Sequence, residues 1–420
     1  MKRSPAEKLR IIVTGYLAQY PLGGVAWDYV QYAVGLHRLG HDVYYLEDTH
    51  LWPYSPTTGG VAKDCTENVA YLAAIMERFG LGDRWAYRFP WESQWFGLSE
   101  ARRKEVLETA DCLINVSGSL GKPLDYRDIP RLAYIDSDPV FTQIKLAKQQ
   151  AELVKAVDGH DVHFSFGECH SDHVPDTGHT WLPTRQPVVL DEWRHQNEAR
   201  ETFTTIMNWT SYKDLDYEGK TFGQKDREFE RFMNLPERVA PTPIEIAVNA
   251  GKTRRTPKQM LERHGWRIAD PDQVCPDLDS YRDYIQRSKA EWSVAKHGYV
   301  AGQSGWFSCR SACYLAASRP VVVQDTGFGA ILPVGEGILS FRDLDEAVQA
   351  VTEVVTNYPR HARAAGEVAT EYFDSGKVLT RLLDQLMSGT SAAGPVACTA
   401  EGGGTGDMSG DCNHPNLTSA

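Results

Sequence analysis

The sequence lacks paired cysteines and long apolar runs. None of its eight cysteines stands in a C-x-x-C pair, so the sequence indicates neither a zinc ribbon nor a disulfide framework. No apolar run approaches the length of a membrane-spanning helix, and no signal-peptide core follows the charged start MKRSPAEKLR. We therefore expect a cytoplasmic protein without a membrane span.

Positive charge is also scarce. The chain has 44 lysines and arginines against 56 acidic residues, which gives a formal net charge of −12. Such a chain repels a nucleic-acid backbone unless its basic residues are clustered, and the densest group, KTRR at residues 252–255, fits a solvated turn. We expect no binding to a nucleic-acid backbone. The length of 420 residues exceeds one ordinary core and predicts two domains of roughly 180 residues each.

One complete β-α-β unit with its loops is predicted in residues 291–351. A Gly/Ser loop at 302–305 opens a helix near Trp306, and the β-branched apolar run at 320–323 ends in the loop DTGFG at 325–329. Free N–H groups and the positive end of the dipole point outward at such a helix start, where glycines let an anion approach closely. The pattern indicates a phosphate site.

Side chains near this helix start add further hydrogen-bond donors. Ser304 and Ser308 carry hydroxyl groups, and Arg310 brings a fork of N–H groups. The alternative is that Gly302 and Gly305 only form the turn and that Arg310 is a solvated surface charge. The residues alone leave both interpretations open.

The N-terminus predicts a second opening of the same kind. A buried strand at residues 9–14 is followed by a loop ending in Gly23 and Gly24, by a helix at 25–39 and by a strand at 41–46. A lone Gly-Gly pair is weak support, because most such pairs are simple turns. Two such openings in the right order are stronger support.

The order of elements in both halves resembles that of the GT-B glycosyltransferases, enzymes of two Rossmann-like domains that move sugars from nucleotide donors. The segment GEGILSF at 335–341 and the helix predicted at 343–348 match the usual ending of that family. The resemblance implies an α/β fold with two doubly wound domains facing a cleft. The donor-binding residues that we assign with its help are Gly23, Gly24, Asn208, Lys225, Ser304, Gly305, Ser308, Arg310, Asp325, Thr326 and Gly327.

A basic residue early in the second domain often lies against the donor phosphates in this family, where it offsets charge on the departing diphosphate. Lys225 is the candidate here, and Lys220 and Arg227 are close enough in sequence to stay alternatives. A surface ion pair between Lys225 and a neighbouring acid is the plainer interpretation.

The chain departs from the family at two positions. Many retaining members carry two glutamates eight positions apart on this loop and helix, and the corresponding residues here are Gly305 and Cys313. Either this chain holds the donor sugar and ribose differently, or it has lost activity. The resemblance therefore leaves the stereochemistry of transfer open.

Composition sets the expected domain limits. Residues 1–185 are predicted to form the acceptor-side domain, 186–200 a linker, and 201–360 the nucleotide-sugar-binding domain. The helix predicted at 361–388 is similar to the last helix of many GT-B enzymes, which returns to the first domain. Residues 389–420, rich in Gly, Ser, Thr and Ala, are expected to be disordered because they cannot bury a core.

Asp136 and Asp138 are the predicted catalytic residues. They follow a strand at 131–135, where a doubly wound sheet presents its loops to the ligand cleft. A carboxylate there can deprotonate an acceptor hydroxyl or stabilise oxocarbenium charge. D-x-D is also the metal-holding signature of GT-A glycosyltransferases, and a third interpretation is a turn in which an aspartate caps the helix predicted at 140–148.

Histidines and acidic residues are concentrated at residues 160–173. The segment looks like a metal cluster at first sight, but it has no helical H-x-x-x-H pair and fits a strand followed by a polar loop. We expect no bound metal.

The implied function is a metal-independent glycosyltransferase of the hexosyltransferase type, with a nucleotide-diphosphate sugar as co-substrate and no other cofactor. A nucleotide-sugar epimerase of the same fold and a noncatalytic protein that binds sugar nucleotides or glycans are the alternatives. Acceptor loops vary freely on one fold, so the acceptor, whether a small molecule, a glycan or another nucleophile, stays open.

Overall fold

Alternating strands and helices build two mainly parallel sheets in the computed structural model, which describes residues 8–91, 93–194, 198–249, 257–388 and 396–397. The elements of the first half are β1 (Arg10–Thr14), α1 (Gly23–Arg38), β2 (Asp42–Glu47), β3 (Tyr54–Ser55), β4 (Gly60–Val61), α2 (Thr66–Arg78), β5 (Trp85–Arg88), β6 (Trp95–Gly97), α3 (Glu100–Thr109), β7 (Cys112–Val116), β8 (Leu132–Asp136), α4 (Phe141–Ala147), α5 (Ala151–Asp158), β9 (Val162–Ser165), β10 (Cys169–His170) and β11 (Trp181–Pro183). Its main sheet has the order β11-β9-β8-β7-β1-β2-β5-β6, and only β6 is antiparallel to its neighbour.

The second half repeats this construction. Its elements are β12 (Phe203–Asn208), β13 (Leu215–Tyr217), β14 (Lys220–Phe222), α6 (Lys225–Phe229), α7 (Leu235–Arg238), β15 (Ile244–Asn249), α8 (Lys258–Arg263), β16 (Arg267–Ala269), α9 (Pro271–Val274), α10 (Leu278–Gln286), β17 (Ala290–Ser293), α11 (His297–Gly302), α12 (Cys309–Ala316), β18 (Val321–Gln324), β19 (Ile338–Phe341), α13 (Leu344–Thr356), α14 (Tyr358–Val368) and α15 (Ser375–Ser388). Its sheet has the order β16-β15-β12-β17-β18-β19 and is parallel throughout. The final strand, β20 (Val396–Ala397), pairs with β10 of the first half.

The second sheet is covered on both faces, and its sequence shows why. Strand β18 reads VVVQ, and all four residues are buried. A parallel sheet with helices on both faces favours continuous β-branched runs of this kind. On one face Trp292 of β17 is fully buried and stacks on Phe341 of β19, with ring centroids 5.6 Å apart. The predicted fold class, two Rossmann-like domains facing a cleft, is confirmed.

Helix α1 packs against both the second half of the chain and the last helix. A Cβ atom at Gly23 would lie 2.1 Å from the carbonyl oxygen of Asp277, just before α10. A Cβ atom at Gly35 would lie 2.5 Å from Leu379 of α15. Only glycine permits such close approach. Helix α15 therefore lies against the first half.

The predicted helix near Trp306 begins three residues later, at Cys309. The backbone at Gly305 is left-handed, with φ of +78°, and Ser308 before the helix is still extended. The chain therefore needs these residues to turn before the helical hydrogen bonds start. No helix among the described residues is long and apolar enough to cross a membrane.

The C-terminal part differs from the prediction in one respect. The helix predicted at 361–388 is divided into α14 and α15 by a π turn at Ala369–Phe373. The tail predicted at 389–420 lies outside the described residues except for residues 396–397.

The predicted linker at 186–200 is closely packed where it is described. Trp193 is fully buried, and its indole N–H donates to Oε1 of Gln31 in α1 at 3.1 Å. The N–H of Ser375 donates to the carbonyl oxygen of Val188 at 2.9 Å. These contacts hold the crossing segment, the described part of residues 186–200, against α1 and α15. The domain limits stay a prediction.

Candidate functional site

The carboxyl ends of the two sheets face one another. Asp138 follows β8 of the first sheet and Lys296 follows β17 of the second. Their side chains meet, with Nζ of Lys296 2.8 Å from Oδ1 of Asp138. Because loops beyond the carboxyl ends of parallel strands form the ligand crevice, the candidate site lies between the two domains.

The carboxylate of Asp138 is the centre of this contact. It accepts hydrogen bonds from Lys296, from the hydroxyl of Tyr212 at 2.5 Å and from the hydroxyl of Tyr299, all in the second domain. Burial by itself raises the pKa of Asp138, but Lys296 and the two hydroxyls outweigh it and hold the pKa below its usual value. Asp138 is therefore ionised at neutral pH, which suits it better to stabilising positive charge than to accepting a proton.

Asp136 points into the first domain and is 2% exposed. Its carboxylate accepts from Thr142 Oγ1 at 2.7 Å, Gln143 Nε2 at 2.9 Å, Ser165 Oγ at 3.1 Å and the N–H of Asp138 at 3.0 Å. Burial raises the pKa of Asp136, and these donors offset part of the effect. The four donors tie Asp136 to the loop that presents Asp138, and its catalytic role stays a prediction.

Helix α12 presents its N-terminus and Arg310 to the cleft. Ser308 precedes the helix, and its hydroxyl makes no capping hydrogen bond. Arg310 donates from Nε to Oε1 of Glu291 at 2.6 Å and from Nη1 to the carbonyl oxygen of Ile206 at 2.7 Å. Because Glu291 is fully buried, this pair fixes the guanidinium at the helix start.

Three cations converge at this end of the second sheet. Burial lowers the pKa of Lys225, the first residue of α6, and the nearby charges of Arg310 and Lys296 lower it further. Arg310 is paired with Glu291 and Lys296 with Asp138. In the part of the chain that the structure describes, the side chain of Lys225 forms no ion pair and no hydrogen bond. An anionic ligand would stabilise this arrangement, because it would offset both the burial and the repulsion.

The two loops predicted to bind the donor hold one another. The N–H of Gly305 donates to the carbonyl oxygen of Thr326 at 2.8 Å, and the Thr326 hydroxyl donates to the carbonyl oxygen of Trp306 at 2.5 Å. The N–H of Gly327 donates to Oδ1 of Asp325 at 2.9 Å. Gly305, Asp325, Thr326 and Gly327 thus lie together beside α12, and their contacts with a donor stay predictions.

The other predicted residues are more scattered. Ser304 is 3% exposed, and its hydroxyl has no hydrogen-bond partner within the described ranges. Asn208 is exposed at the end of β12. Gly23 and Gly24 contact Tyr281 of α10, at 2.7 and 3.0 Å from their would-be Cβ atoms. The structure therefore brings the Gly-Gly pair to α10.

The two positions that correspond to the family's glutamates are closed in this chain. A Cβ atom at Gly305 would lie 2.7 Å from Sγ of Cys169 in the first domain. Cys313 is 1% exposed and lies beside the side chain of Gln31 in α1. The first domain thus covers both positions in this arrangement.

Two cavities of very different volume lie in and beside the cleft. A cavity of about 10 Å³ lies at the N-terminus of α12 between Ser308, Arg310 and Thr326, and it has room for at most one water molecule. A cavity of about 220 Å³ lies on the first-domain side, where Pro139 and Ser304 are part of its wall. The cavity at α12 is too small for a diphosphate, so we expect the residues around it, which all belong to the second domain, to rearrange when a diphosphate binds.

The partners of Asp138 were not predicted from the sequence. Lys296 could have been predicted as a site residue, because it follows the carboxyl end of a buried parallel strand, where ligand crevices form. Nothing in the sequence around Tyr212 and Tyr299 predicted their role, because only the contact between the domains brings their hydroxyls to Asp138.

Asp28 of α1 was missed as well. Burial raises the pKa of its carboxyl to about 7, and the charge of Arg310 offsets only part of that rise. An aspartate with a raised pKa keeps its proton between about pH 4 and pH 7 in the folded chain, whereas the unfolded chain has lost it. The folded state therefore loses stability as the pH rises through this range.

We expect Asp28→Asn to raise the free energy of unfolding by about 1–3 kcal/mol at pH 8 and to change it little at pH 4.5. Asparagine resembles the protonated aspartate, so the cost of ionising a buried group disappears. Urea denaturation at the two pH values measures the difference. The control is Asp172→Asn, because the Asp172 side chain is 97% exposed. An equal gain at both pH values would contradict titration of Asp28 as the cause.

The histidine-rich segment is held by hydrogen bonds inside the first domain. His160 Nε2 pairs with Asn115 Nδ2 at 3.0 Å, and His163 Nε2 pairs with the carbonyl oxygen of Val157 at 2.9 Å. Over the described residues, no three His, Cys, Asp or Glu side chains are grouped so that they could hold a metal ion.

Comparison with known proteins gives results at the level of structure only. No protein-family model matches the sequence, and no curated protein matches it. An alpha-glucosyltransferase solved with UDP-glucose and DNA containing an abasic site has a TM-score of 0.53 at 12% identity, covering 91% of this chain and 100% of that one. HepE from Anabaena with UDP-glucose has a TM-score of 0.53 at 10% identity, covering 90% and 99%.

A third similar structure is the sucrose-phosphate synthase from Thermosynechococcus elongatus, with a TM-score of 0.51 at 11% identity, covering 90% of this chain and 100% of that one. All three similarities extend over both sheets and the cleft between them. Together with the two facing Rossmann-like domains, they show that this chain has the GT-B glycosyltransferase fold.

Proposed function

We propose that this protein is a glycosyltransferase that moves the sugar of a nucleotide-diphosphate sugar to an acceptor hydroxyl or a similar nucleophile. The observation that carries the proposal is the unpaired Lys225 beside Arg310 at the N-terminus of α12. Lys225, Arg310 and the free N–H groups of α12 would donate to the diphosphate. The same donors would stabilise the negative charge that grows on the diphosphate as the bond to the sugar breaks.

The donor class is supported by the solved neighbours. The alpha-glucosyltransferase and HepE were both solved with UDP-glucose. The alpha-glucosyltransferase was also solved with DNA, but a chain with a formal net charge of −12 repels a polyanion. We therefore propose a nucleotide sugar as the donor and an acceptor other than DNA.

We also propose that transfer needs no divalent cation. Lys225 and Arg310 supply positive charge where the diphosphate would leave. The oxygens of Asp136 are occupied by four donors, and Asp138 is occupied by Lys296 and two tyrosine hydroxyls. Asp136 and Asp138 therefore take part in hydrogen bonds within the first domain and between the domains. Binding of a metal ion by these carboxylates would require those hydrogen bonds to break.

The cavity of about 220 Å³ beside Pro139 is our candidate for the acceptor side. Pro139 is the neighbour of Asp138 in sequence, and the cavity wall also contains Trp181 and Ser304. An indole ring offers the flat apolar face on which sugar rings pack. Asp138 would then lie between acceptor and donor, where an ionised carboxylate can stabilise oxocarbenium charge.

A screen against UDP-, GDP-, dTDP- and ADP-sugars tests the proposal. We expect one nucleotide series to raise the melting temperature, with slow release of free sugar that neither EDTA nor Mg²⁺ changes. Donor binding without sugar release would identify a noncatalytic protein, which the closed positions of Gly305 and Cys313 favour. Conversion of the donor to its epimer without an acceptor would identify an epimerase. Stabilisation by none of the donors contradicts the proposal.

A further inference from the structure

A third cavity, larger than the two already described, lies where the two domains and the last helix meet. Its volume is about 380 Å³, within the range of pockets that hold small molecules. The first domain contributes Glu168 and Arg185 to its wall, the second contributes Ile331, and α15 contributes Arg381 and Gln385. The wall contains neither Lys225 nor Arg310, so this cavity is separate from the proposed donor site.

The wall contains one more cationic side chain than acidic side chains. Arg185 pairs with Glu168 at 2.5 Å, and Lys377 pairs with Glu371 at 2.6 Å. The guanidinium of Arg381 forms no ion pair or hydrogen bond with any residue that the structure describes. Glu168 is within electrostatic range of Arg381, but Glu168 is already held by Arg185. Arg381 is exposed, so its guanidinium is accessible to a ligand in this cavity.

Uncharged groups in the same wall can recognise a hydroxylated ring. Gln385 is 6% exposed, and across the described residues neither its amide nitrogen nor its amide oxygen has a hydrogen-bond partner. Most buried polar groups are hydrogen-bonded, so such an exception needs an explanation. Tyr372 also lines the cavity, under the guanidinium of Arg185 at 5.7 Å from the ring centroid. An amide and an aromatic ring are common partners of sugar hydroxyls and of the apolar face of a sugar.

We propose that this cavity is a second small-molecule site, which binds a hydroxylated ring bearing one anionic group. The anion pairs with Arg381, and a ring hydroxyl hydrogen-bonds with Gln385. An arginine recognises carboxylate and phosphate equally well through its fork of N–H groups, so the shared chemistry is that of an anionic sugar. Because both domains and α15 form the wall, the bound ligand also bridges the two domains.

Isothermal titration calorimetry of the full chain tests the site with glucuronate, glucose 6-phosphate and glucose. We expect at least one of the two anionic sugars to bind and neutral glucose to bind at least 10-fold more weakly. The anion that binds more tightly identifies the natural group as carboxylate or phosphate. Binding of neither anionic sugar, or equal binding of glucose, overturns the proposal. Inorganic phosphate that binds as tightly as glucose 6-phosphate overturns the recognition of the ring.

Two variants locate the ligand. Arg381→Gln is expected to weaken binding of the anionic sugar at least 10-fold, and Gln385→Met to weaken it while leaving Arg381 in place. The matched control is Arg363→Gln on α14, whose side chain is 72% exposed and outside the wall. Donor binding is measured beside each variant and should be unchanged, which separates this proposal from that of the transferase. An unchanged dissociation constant in Arg381→Gln overturns the proposal.

Discussion

Lys225→Met is expected to weaken binding of the nucleotide-diphosphate donor by about 10- to 100-fold. A hydrogen bond to a charged group contributes about 1.5–3 kcal/mol, and each 1.4 kcal/mol is a factor of ten in affinity. The side chain of Lys225 forms no ion pair or hydrogen bond within the described ranges, so its amino group is available to a ligand. Calorimetric titration with the donor that the screen identifies measures the effect.

The same substitution should stabilise the unliganded protein. Burial and the charges of Arg310 and Lys296 lower the pKa of Lys225, so the folded chain holds this ammonium group at a cost near neutral pH. Methionine keeps the length of the side chain and removes that cost, so the melting temperature should rise while donor affinity falls. Lys220→Met is the control, because Lys220 is exposed on β14. An equal loss of affinity in the control, or full affinity in Lys225→Met, would refute the assignment.

Arg310 is a less informative position for the same test. Its guanidinium is paired with Glu291, which is fully buried. Removing one partner of a buried ion pair leaves an uncompensated charge, which typically costs about 3–5 kcal/mol. A loss of donor binding in Arg310→Ala would therefore combine lost contact with lost stability.

Asp138→Asn is expected to lower kcat about 100-fold or more, with a smaller change in the affinity for the donor. The lowered pKa keeps Asp138 ionised, so under our proposal it would place negative charge opposite a developing positive centre. Fixed electrostatic groups of this kind contribute about 10²- to 10³-fold to kcat. Asparagine keeps the shape and removes the charge. Steady-state kinetics with saturating donor measure kcat, and the donor titration is repeated on the variant.

A purely structural role for Asp138 predicts a different result. Asp138 also joins the domains through Lys296, Tyr212 and Tyr299. If it acts only through that contact, Lys296→Met should lower kcat as much as Asp138→Asn, and the double variant should be no worse than either. If its charge acts on the reacting sugar, Asp138→Asn should lose much more kcat than Lys296→Met at similar melting temperatures.

Other contacts between the two domains lie beside those of Asp138. Trp306 stacks on Tyr299 with ring centroids 4.1 Å apart, and its indole N–H donates to the carbonyl oxygen of Ser137 at 3.3 Å. With the hydrogen bonds to Asp138, this contact brings the loop after β8 against the start of α11 and α12. If the donor enters between the domains, these contacts must break, and the donor phosphates would supply new partners for the cations that are released.

The fold could be read from the sequence because its signals are local. Runs such as IIVT at 11–14 and VVV at 321–323 are buried on both faces of their sheets, and buried parallel strands need such runs. Glycine at 40 closes α1 with φ of +92°, a backbone that other residues rarely adopt. The helix predicted at 343–348 is capped by Asp343, the residue before α13, whose side chain accepts from the N–H of Glu346 at 2.9 Å. Each of these features depends on a few neighbouring residues.

Element ends were predicted less well, for a related reason. The start of α12 depends on how Gly305 turns against Thr326 and Cys169, which are far away in sequence. The division between α14 and α15 depends on the π turn at Ala369–Phe373, where the chain passes Val188 of the crossing segment. Local propensity contains no information on these contacts.

The sequence by itself determined the two-domain α/β architecture, the loops at the carboxyl ends of the strands and the residue types that they carry. Only the tertiary structure decided which of those residues meet. It paired Asp138 with Lys296 and Arg310 with Glu291, left Lys225 unpaired among the described residues, and brought Gly23 to α10. The physical reason is that burial and charge pairing depend on contacts between segments that are separate in the sequence, by 19 residues for Glu291 and Arg310 and by 158 for Asp138 and Lys296.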